Sequence, residues 1–266
     1  MMSDRTLDRG VVSSHTVFGA PCWVSLTTRD LRAAEDFYHA VLGWEWHSGT
    51  LGDQYRFARV NGVPVAGVSG MSGIGAKMAT WTAYFAVASA DETVARSQER
   101  GGTTAVGPIS FPPGRAALLA DRDGAVFGIW EGRLVAGWEA WRRAAPVFVR
   151  LHTRDAFDAA IFYAEVLQWA TSDPASCQVD YEDNEVVLRS QGDVVARIHS
   201  GAVGAAPDPT IRPHWRIHFT VDDVEACARA ARAHGGTAHQ QGAGSTEAIL
   251  SDPDGAHFSV SSQDAE

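Results

Sequence analysis

The residues best suited to chemistry in this chain lie in its second half, where Arg150, His152, His214, Arg216, His218 and His257 fall on alternating positions of apolar segments. Trp215, Ile217, Phe219 and Val221 alternate with His214, Arg216, His218 and Thr220, so on a strand the first set faces a core and the second faces the opposite, cavity side. The same rule sends Val149 and Leu151 inward and sets Phe148, Arg150 and His152 on the cavity side, and it separates Phe258 and Val260 from His257, Ser259 and Ser261. Imidazoles titrate near neutral pH and serve as general acids and bases, with His218 and His152 the first pair to consider. A buried guanidinium must meet a carboxylate or await an anionic ligand. Asp180, Glu182, Asp183 and Glu185 lie close enough in sequence to be such partners, and both readings stay open.

The corresponding first-half positions are Trp23, Ser25 and Thr27, then Thr82, Tyr84 and Ala86, then Val126, Gly128 and Trp130. This face is aromatic and uncharged, able to stack a flat ligand or simply to fill its own space. His214 and His218 are four apart on one strand, about 13 Å, so one ion cannot take both. His199 ends a strand near the cluster, whereas His39, His47, His234 and His239 fall on surface positions. Gly101-Gly102 and Gly235-Gly236 follow helices and make no phosphate cradle, and no serine sits in a nucleophile elbow. Cys22, Cys177 and Cys227 have no paired short spacing and read as apolar fillers.

The elements that carry these residues are organised by a repeat. Thr28-Arg29-Asp30, Ala34, Phe37-Tyr38, Val41-Leu42 and Trp44 recur 125 positions later, from Thr153-Arg154-Asp155 to Trp169. Trp81, Phe85, Val87 and Gly101-Gly102-Thr103 recur 134 positions later, from Trp215 to Gly235-Gly236-Thr237. Both halves close on an Asp-X-Asp-Gly turn, at Asp121 to Phe127 and Asp252 to Phe258. From Asp30 to Leu42 the apolar spacing predicts an amphipathic helix capped by Asp30 and stopped by Gly43. Strands follow at Tyr55 to Val60 and Val63 to Ser69 across an Asn61-Gly62 turn. The second unit gives strand Thr80 to Ala88, helix Asp91 to Arg100, and strands at Thr103 to Pro108, Arg115 to Leu119 and Ala125 to Trp130. Four βαβββ modules result, near residues 18–70, 79–131, 145–200 and 211–262. In the joining stretch Trp138 and Trp141 should pack on a sheet, and Ala205 to Pro209 reads as a loop.

A chain of 266 residues supports two modest domains, and 45% hydrophobic with 20% charged residues is globular. The net charge of −10 argues against nucleic acid and anionic membrane partners. No apolar run reaches the length of a spanning helix, and Met1 to Ala20 lacks the apolar core of a signal peptide, so the protein is read as cytoplasmic, a monomer or homodimer.

The repeated Asp30…Phe37-Tyr38…Val41-Leu42-Gly43-Trp44, its copy Asp155…Phe162-Tyr163…Val166-Leu167…Trp169 and the two Asp-X-Asp-Gly turns resemble the vicinal oxygen chelate superfamily of glyoxalases, bleomycin-resistance proteins and extradiol dioxygenases. The resemblance implies an α+β fold in which the four modules pair into two curled-sheet domains: a flexible N-terminus at 1–17, domain 1 at 18–131, a linker at 132–144 and domain 2 at 145–262. It also implies where metal-dependent members hold their ion. Counted from the helix starts, those positions are Trp23, Thr82 and Gly128 in the first half and Phe148, Arg216 and Ser259 in the second. They offer no set of metal ligands, so no metal and no cofactor is expected. The expected function is metal-independent binding of an aromatic or polyketide-like metabolite of secondary metabolism. Trp23, Tyr84, Trp130, Phe148, Arg150, Arg216, His214 and His257 would contact the ligand. The alternative is a metal-independent isomerase, cyclase or lyase using His218 and His152, and behind it a metal-dependent lyase or dioxygenase.

Overall fold

The computed structural model describes residues 12–48, 52–70, 79–135, 138, 147–200, 212–240, 242 and 244–262. Trp141, the Ala205 to Pro209 loop and residues 1–11 lie outside them. The module βαβββ occurs four times. The first is β1 (Pro21–Thr28), α1 (Leu31–Leu42), β2 (Glu45–Ser48), β3 (Tyr55–Val60) and β4 (Val63–Gly70); the second is β5 (Thr80–Ala86), α2 (Ala90–Glu99), β6 (Thr103–Phe111), β7 (Gly114–Ala120) and β8 (Val126–Gly132). The third is β9 (Val147–Thr153), α3 (Ala156–Leu167), β10 (Gln178–Glu182), β11 (Glu185–Ser190) and β12 (Asp193–Ser200); the fourth is β13 (His214–Thr220), α4 (Val224–Ala233), β14 (Thr237–Gln240), β15 (Glu247–Ser251) and β16 (His257–Ser261).

Local chemistry explains the boundaries. Asp30 accepts from the Ala33 amide at 3.0 Å and Asp155 from the Asp158 amide at 3.0 Å, each satisfying a helix-start donor. Gly43, at φ 67°, closes α1 in the left-handed conformation that glycine adopts without strain. The second helix begins at Ala90, one residue earlier than its spacing suggests, because Ser89 caps it. Asn61 and Gly62 both have positive φ, as the tight turn between β3 and β4 requires.

Two eight-stranded sheets form, ordered β2-β3-β4-β1-β5-β8-β7-β6 and β10-β11-β12-β9-β13-β16-β15-β14. Module one therefore shares a sheet with module two, and three with four, each pair meeting through antiparallel central strands. Helices pair the other way: α1 packs against α4, and α2 against α3. The convex faces of the sheets consequently share one core. In it Phe37, Tyr38, Trp44 and Trp81 of the first half surround Phe219 and Phe258 of the second, with ring centroids 5.1–6.4 Å apart. Phe162, Tyr163, Trp169 and Trp215 surround Phe85 and Phe127 in the same way. The repeated aromatic positions are this interface.

Hydrogen bonds lock it. The Tyr38 hydroxyl donates to Asp252 at 3.1 Å and accepts from the Trp81 indole at 2.9 Å; the Tyr163 hydroxyl donates to Asp121 at 2.9 Å and accepts from Trp215 at 2.9 Å. Both tyrosines are fully buried. Each aspartate also accepts an amide of its own Asp-X-Asp-Gly turn, from Ala256 and Ala125, both at 2.8 Å. Each turn is thereby tied to the opposite half.

Within residues 12–17, placed in the N-terminal leader by the sequence, Ser14 and Val17 are buried while His15 and Thr16 are exposed. Ser14 Oγ accepts from the Gly132 amide at 2.9 Å, Val12 accepts from the Leu134 amide at 2.9 Å, and Val17 is buried with Leu134 and Trp138. Among the described residues no helix is long and apolar enough to cross a membrane.

Tyr163→Phe should cost about 1–3 kcal/mol in urea denaturation, because it leaves the Asp121 carboxylate and the Trp215 indole each short of a partner in a dry core. Tyr38→Phe should match it. A loss within error of zero in both would show that the reciprocal bonds do not hold the halves together.

Candidate functional site

With the convex faces occupied, each sheet turns its concave face, or cup, away from the shared core. Strand pairing then sorts the second cup into rows of residues opposite one another. Phe148 on β9 faces His218 on β13, which pairs with Ser259 on β16. One step along, Arg197 on β12 faces Arg150, which faces Arg216. The next row is Glu185 on β11, His199, His152 and His214.

The first cup has Trp23 opposite Tyr84, and Tyr84 beside Gly128. The positions counted from the helix starts do not lie directly opposite one another: Tyr84 and His218 pair with Trp23 and Phe148. Thr82 pairs with Ser25 and Arg216 with Arg150. The offset is two residues, so paired and counted positions lie on the same face of the sheet.

Neither these rows nor the positions counted from the helix starts make a metal centre. Trp23, Tyr84 and Gly128 offer one buried phenol, whose pKa burial pushes up to about 12. Phe148, His218 and Ser259 offer one imidazole and one hydroxyl. A divalent ion needs three or more convergent imidazole, thiolate or carboxylate donors. His152 and His214 are neighbours, but their rings stack at 17° with centroids 5.3 Å apart, so their lone pairs run side by side instead of converging. Among the described residues no three His, Cys, Asp or Glu side chains are disposed to share an ion.

In the first cup, Tyr84 lies flat where a Cβ on Gly128 would collide with its ring, and Trp23 donates to the Tyr55 hydroxyl at 3.2 Å. Trp130 donates to the Arg133 carbonyl at 3.1 Å. All three rings join a small cluster with Val17, Ala86, Leu134 and Trp138. Trp138 packs on the sheet as its sequence position suggests, and the cup is largely occupied by the protein's own aromatics.

The second cup is charged and only partly paired. Glu185 is the carboxylate that meets its cations, with Arg197 at 3.5 Å, His199 at 3.0 Å and Arg150 at 3.9 Å. Asp180 and Glu182 pair with Arg189 instead. Arg150 lies over the Phe148 ring, 5.9 Å from its centroid. His214 Nδ1 donates to the Arg212 carbonyl at 3.0 Å, so its Nε2 accepts from Arg216 at 3.1 Å and the ring is neutral. His218 Nδ1 faces Glu247 at 3.4 Å. The Nε atoms of Arg150 and Arg216, His218 Nε2, both nitrogens of His152 and Ser259 Oγ are buried without a hydrogen-bond partner. His257 stands exposed at the start of β16.

Burial, reinforced by the neighbouring arginines and histidines, lowers the pKa of His152 to about 2; burial, with Arg150 and Arg216, lowers that of His218 to about 3. Both are neutral at physiological pH. Burial likewise lowers the pKa of Arg216. Sequence reasoning missed Arg197 and Glu247. Arg197 carried a signal, since it and His199 alternate with the buried Ala196 and Ile198 on β12. Glu247 carried none, since it reaches His218 from a strand not adjacent to β13.

Both histidines hold fewer protons in the fold than in the unfolded chain, where the ordinary value is 6.5. Their stabilising contribution is therefore complete above pH 6.5 and is lost as pH falls from there toward about 3, at up to about 1.4 kcal/mol per pH unit per group. His218→Asn should flatten this decline in denaturation curves taken at successive pH values; an unaltered slope would contradict the assignment. Arg216→Met removes a cation set opposite Arg150 together with one hydrogen bond to His214, and its melting temperature should hold or rise, whereas a marked fall would show that the bond to His214 outweighs the repulsion.

Residues 21–129 match the family model described as Glyoxalase/Bleomycin resistance protein/Dioxygenase superfamily, and residues 147–261 match that described as Glyoxalase-like domain. The chain is 30% identical over 252 residues to "Putative glyoxylase CFP32" of Mycobacterium tuberculosis, covering 91% of this chain and 94% of that protein. It is 37% identical over 129 residues to the anthracycline biosynthesis protein DnrV of Streptomyces peucetius, covering 47% of each. Among solved structures, the Mn(II)-bound glyoxalase from Novosphingobium aromaticivorans superposes with a TM-score of 0.56 at 17% identity, over 93% of this chain and 83% of that one, which is a likeness of fold. The chain belongs to the glyoxalase/bleomycin resistance/dioxygenase superfamily, with one such domain in each half.

Proposed function

We propose that the protein binds a small aromatic or polyketide-like metabolite without a metal ion, in the cup of its second half. The observation that carries this reading is the content of the central rows: Trp23, Tyr84 and Gly128 in one cup, Phe148, His218 and Ser259 in the other, with unpartnered guanidinium and imidazole nitrogens crowding the second. Buried polar groups normally find partners, so a cluster of unmade bonds in a concave, ring-lined surface is a place for a ligand. The kinship with a protein named for anthracycline biosynthesis agrees with a flat, oxygenated ligand.

Acid–base catalysis by His218 and His152 has less support. A base is most effective when its pKa lies near the working pH, and these two are held at about 3 and about 2. They are better suited to accept and donate fixed hydrogen bonds as neutral rings.

Native mass spectrometry of protein taken directly from its producing cell should show a retained organic mass with no stoichiometric divalent ion. A divalent ion that leaves together with the ligand on chelation would contradict metal-free binding.

A further inference from the structure

We infer that the ligand of the second cup carries an oxyanion, a carboxylate in an aromatic hydroxy acid, held between Arg150 and Arg216, with its neighbouring hydroxyl donating to His218. This deepens the metal-free binding reading and rests on it.

Three features of the cup point the same way. The first is charge. Facing the cup are Arg150 and His152 from β9, Arg197 and His199 from β12, His214, Arg216 and His218 from β13, and His257 from β16. The carboxylates that reach them are Glu185 from β11 and Glu247 from β15. Glu185 is shared among Arg150, Arg197 and His199, and Glu247 lies nearest His218. Three guanidinium groups thus meet two carboxylates; Arg216 feels the charge of Glu247 but makes no carboxylate contact within 4 Å among the described residues. Like charges directly opposite one another on a sheet repel, so Arg150 beside Arg216 is an arrangement that an anion would relieve.

The second is donor geometry. Arg150 Nε, 3.9 Å from a Glu185 oxygen, and Arg216 Nε are buried without hydrogen-bond partners and belong to residues opposite one another across β9 and β13. Two adjacent guanidinium donors suit the two oxygens of one carboxylate, the charge-assisted pairing for which arginine is best shaped.

The third is the acceptor beside them. His218 is 5% exposed; its Nδ1 faces the Glu247 carboxylate, which places the proton there and leaves Nε2 as a lone pair without a partner. A hydroxyl or amine donor on the ligand would satisfy that atom. His218 is one row from Arg216, and Phe148, which His218 meets edge-on at 6.0 Å, supplies an aromatic wall under the Arg150 guanidinium. A ring bearing a carboxylate and an adjacent hydroxyl meets all of these demands at once. The central row of the first cup, packed with the protein's own rings, has no such pair of arginines.

The test is isothermal titration of the full chain with salicylate and with salicylamide at neutral pH and low salt. Salicylate should bind once per chain, and salicylamide, which keeps the ring and hydroxyl but loses the charge, about tenfold or more weaker. Arg150→Met and Arg216→Met should each weaken salicylate by a similar factor, and Arg115→Met, a surface arginine of the first half paired with Asp91, should leave it unchanged. Near-ultraviolet circular dichroism and the melting temperature of each variant separate loss of binding from loss of fold. Equal binding of the two compounds would overturn the oxyanion inference while leaving small-molecule binding intact. Salicylate binding indifferent to both cup arginines would overturn its placement, and binding of neither compound would overturn the inference together with the reading beneath it.

Discussion

The structure depends on a reciprocal bond. Tyr38 and Tyr163 each reach out of their own half to an aspartate in the other half's final turn, and each is held in place by a tryptophan of its own central strand. In a core as dry as this one, a lost partner costs more than a made bond contributes, so the four groups specify one docking of the halves and disfavour others. Around them the repeated phenylalanines and tryptophans interdigitate, mostly edge to face. With both convex faces spent on this joint, the concave faces are what remains for a ligand.

Duplication then allowed the two concave faces to diverge. Glycine at 128 lets the Tyr84 ring lie down on the sheet, and glycine at 67 leaves room for Tyr55 against Trp23, so the first cup is furnished from within. The second cup keeps Ser259 at the level where the first has Gly128, and it lines adjacent rows with arginine and histidine. One scaffold thus carries a packed cup and a polar one, and the chemistry belongs to side chains that the shared fold does not dictate.

Much of this was legible before any coordinates. The offsets of 125 and 134 residues exposed four modules, and strict alternation sorted each strand into core and cavity sides without error at Trp215, Ile217 and Phe219. Asp30 and Asp155 announced their helices because capping is a local interaction. Register was not legible: counting from a helix start gives equivalent positions on the central strands but not which residues pair across them, and only the structure sets Tyr84 opposite Trp23 and His218 opposite Phe148. Nor could sequence choose Glu185 over Asp180 and Glu182 as partner to the cup's cations. That depends on β11 lying beside β12 while Arg189 engages the other two. The Asp-X-Asp-Gly motifs read as turns; that their first carboxylates reach across the molecule is a fact of assembly.

The most direct test of the account is an anomalous-difference map from crystals of the protein grown with manganese(II). Metal-free binding predicts no peak beside Phe148, His218 and Ser259 and none beside Trp23, Tyr84 and Gly128. A strong peak held by protein side chains in either cup would contradict it.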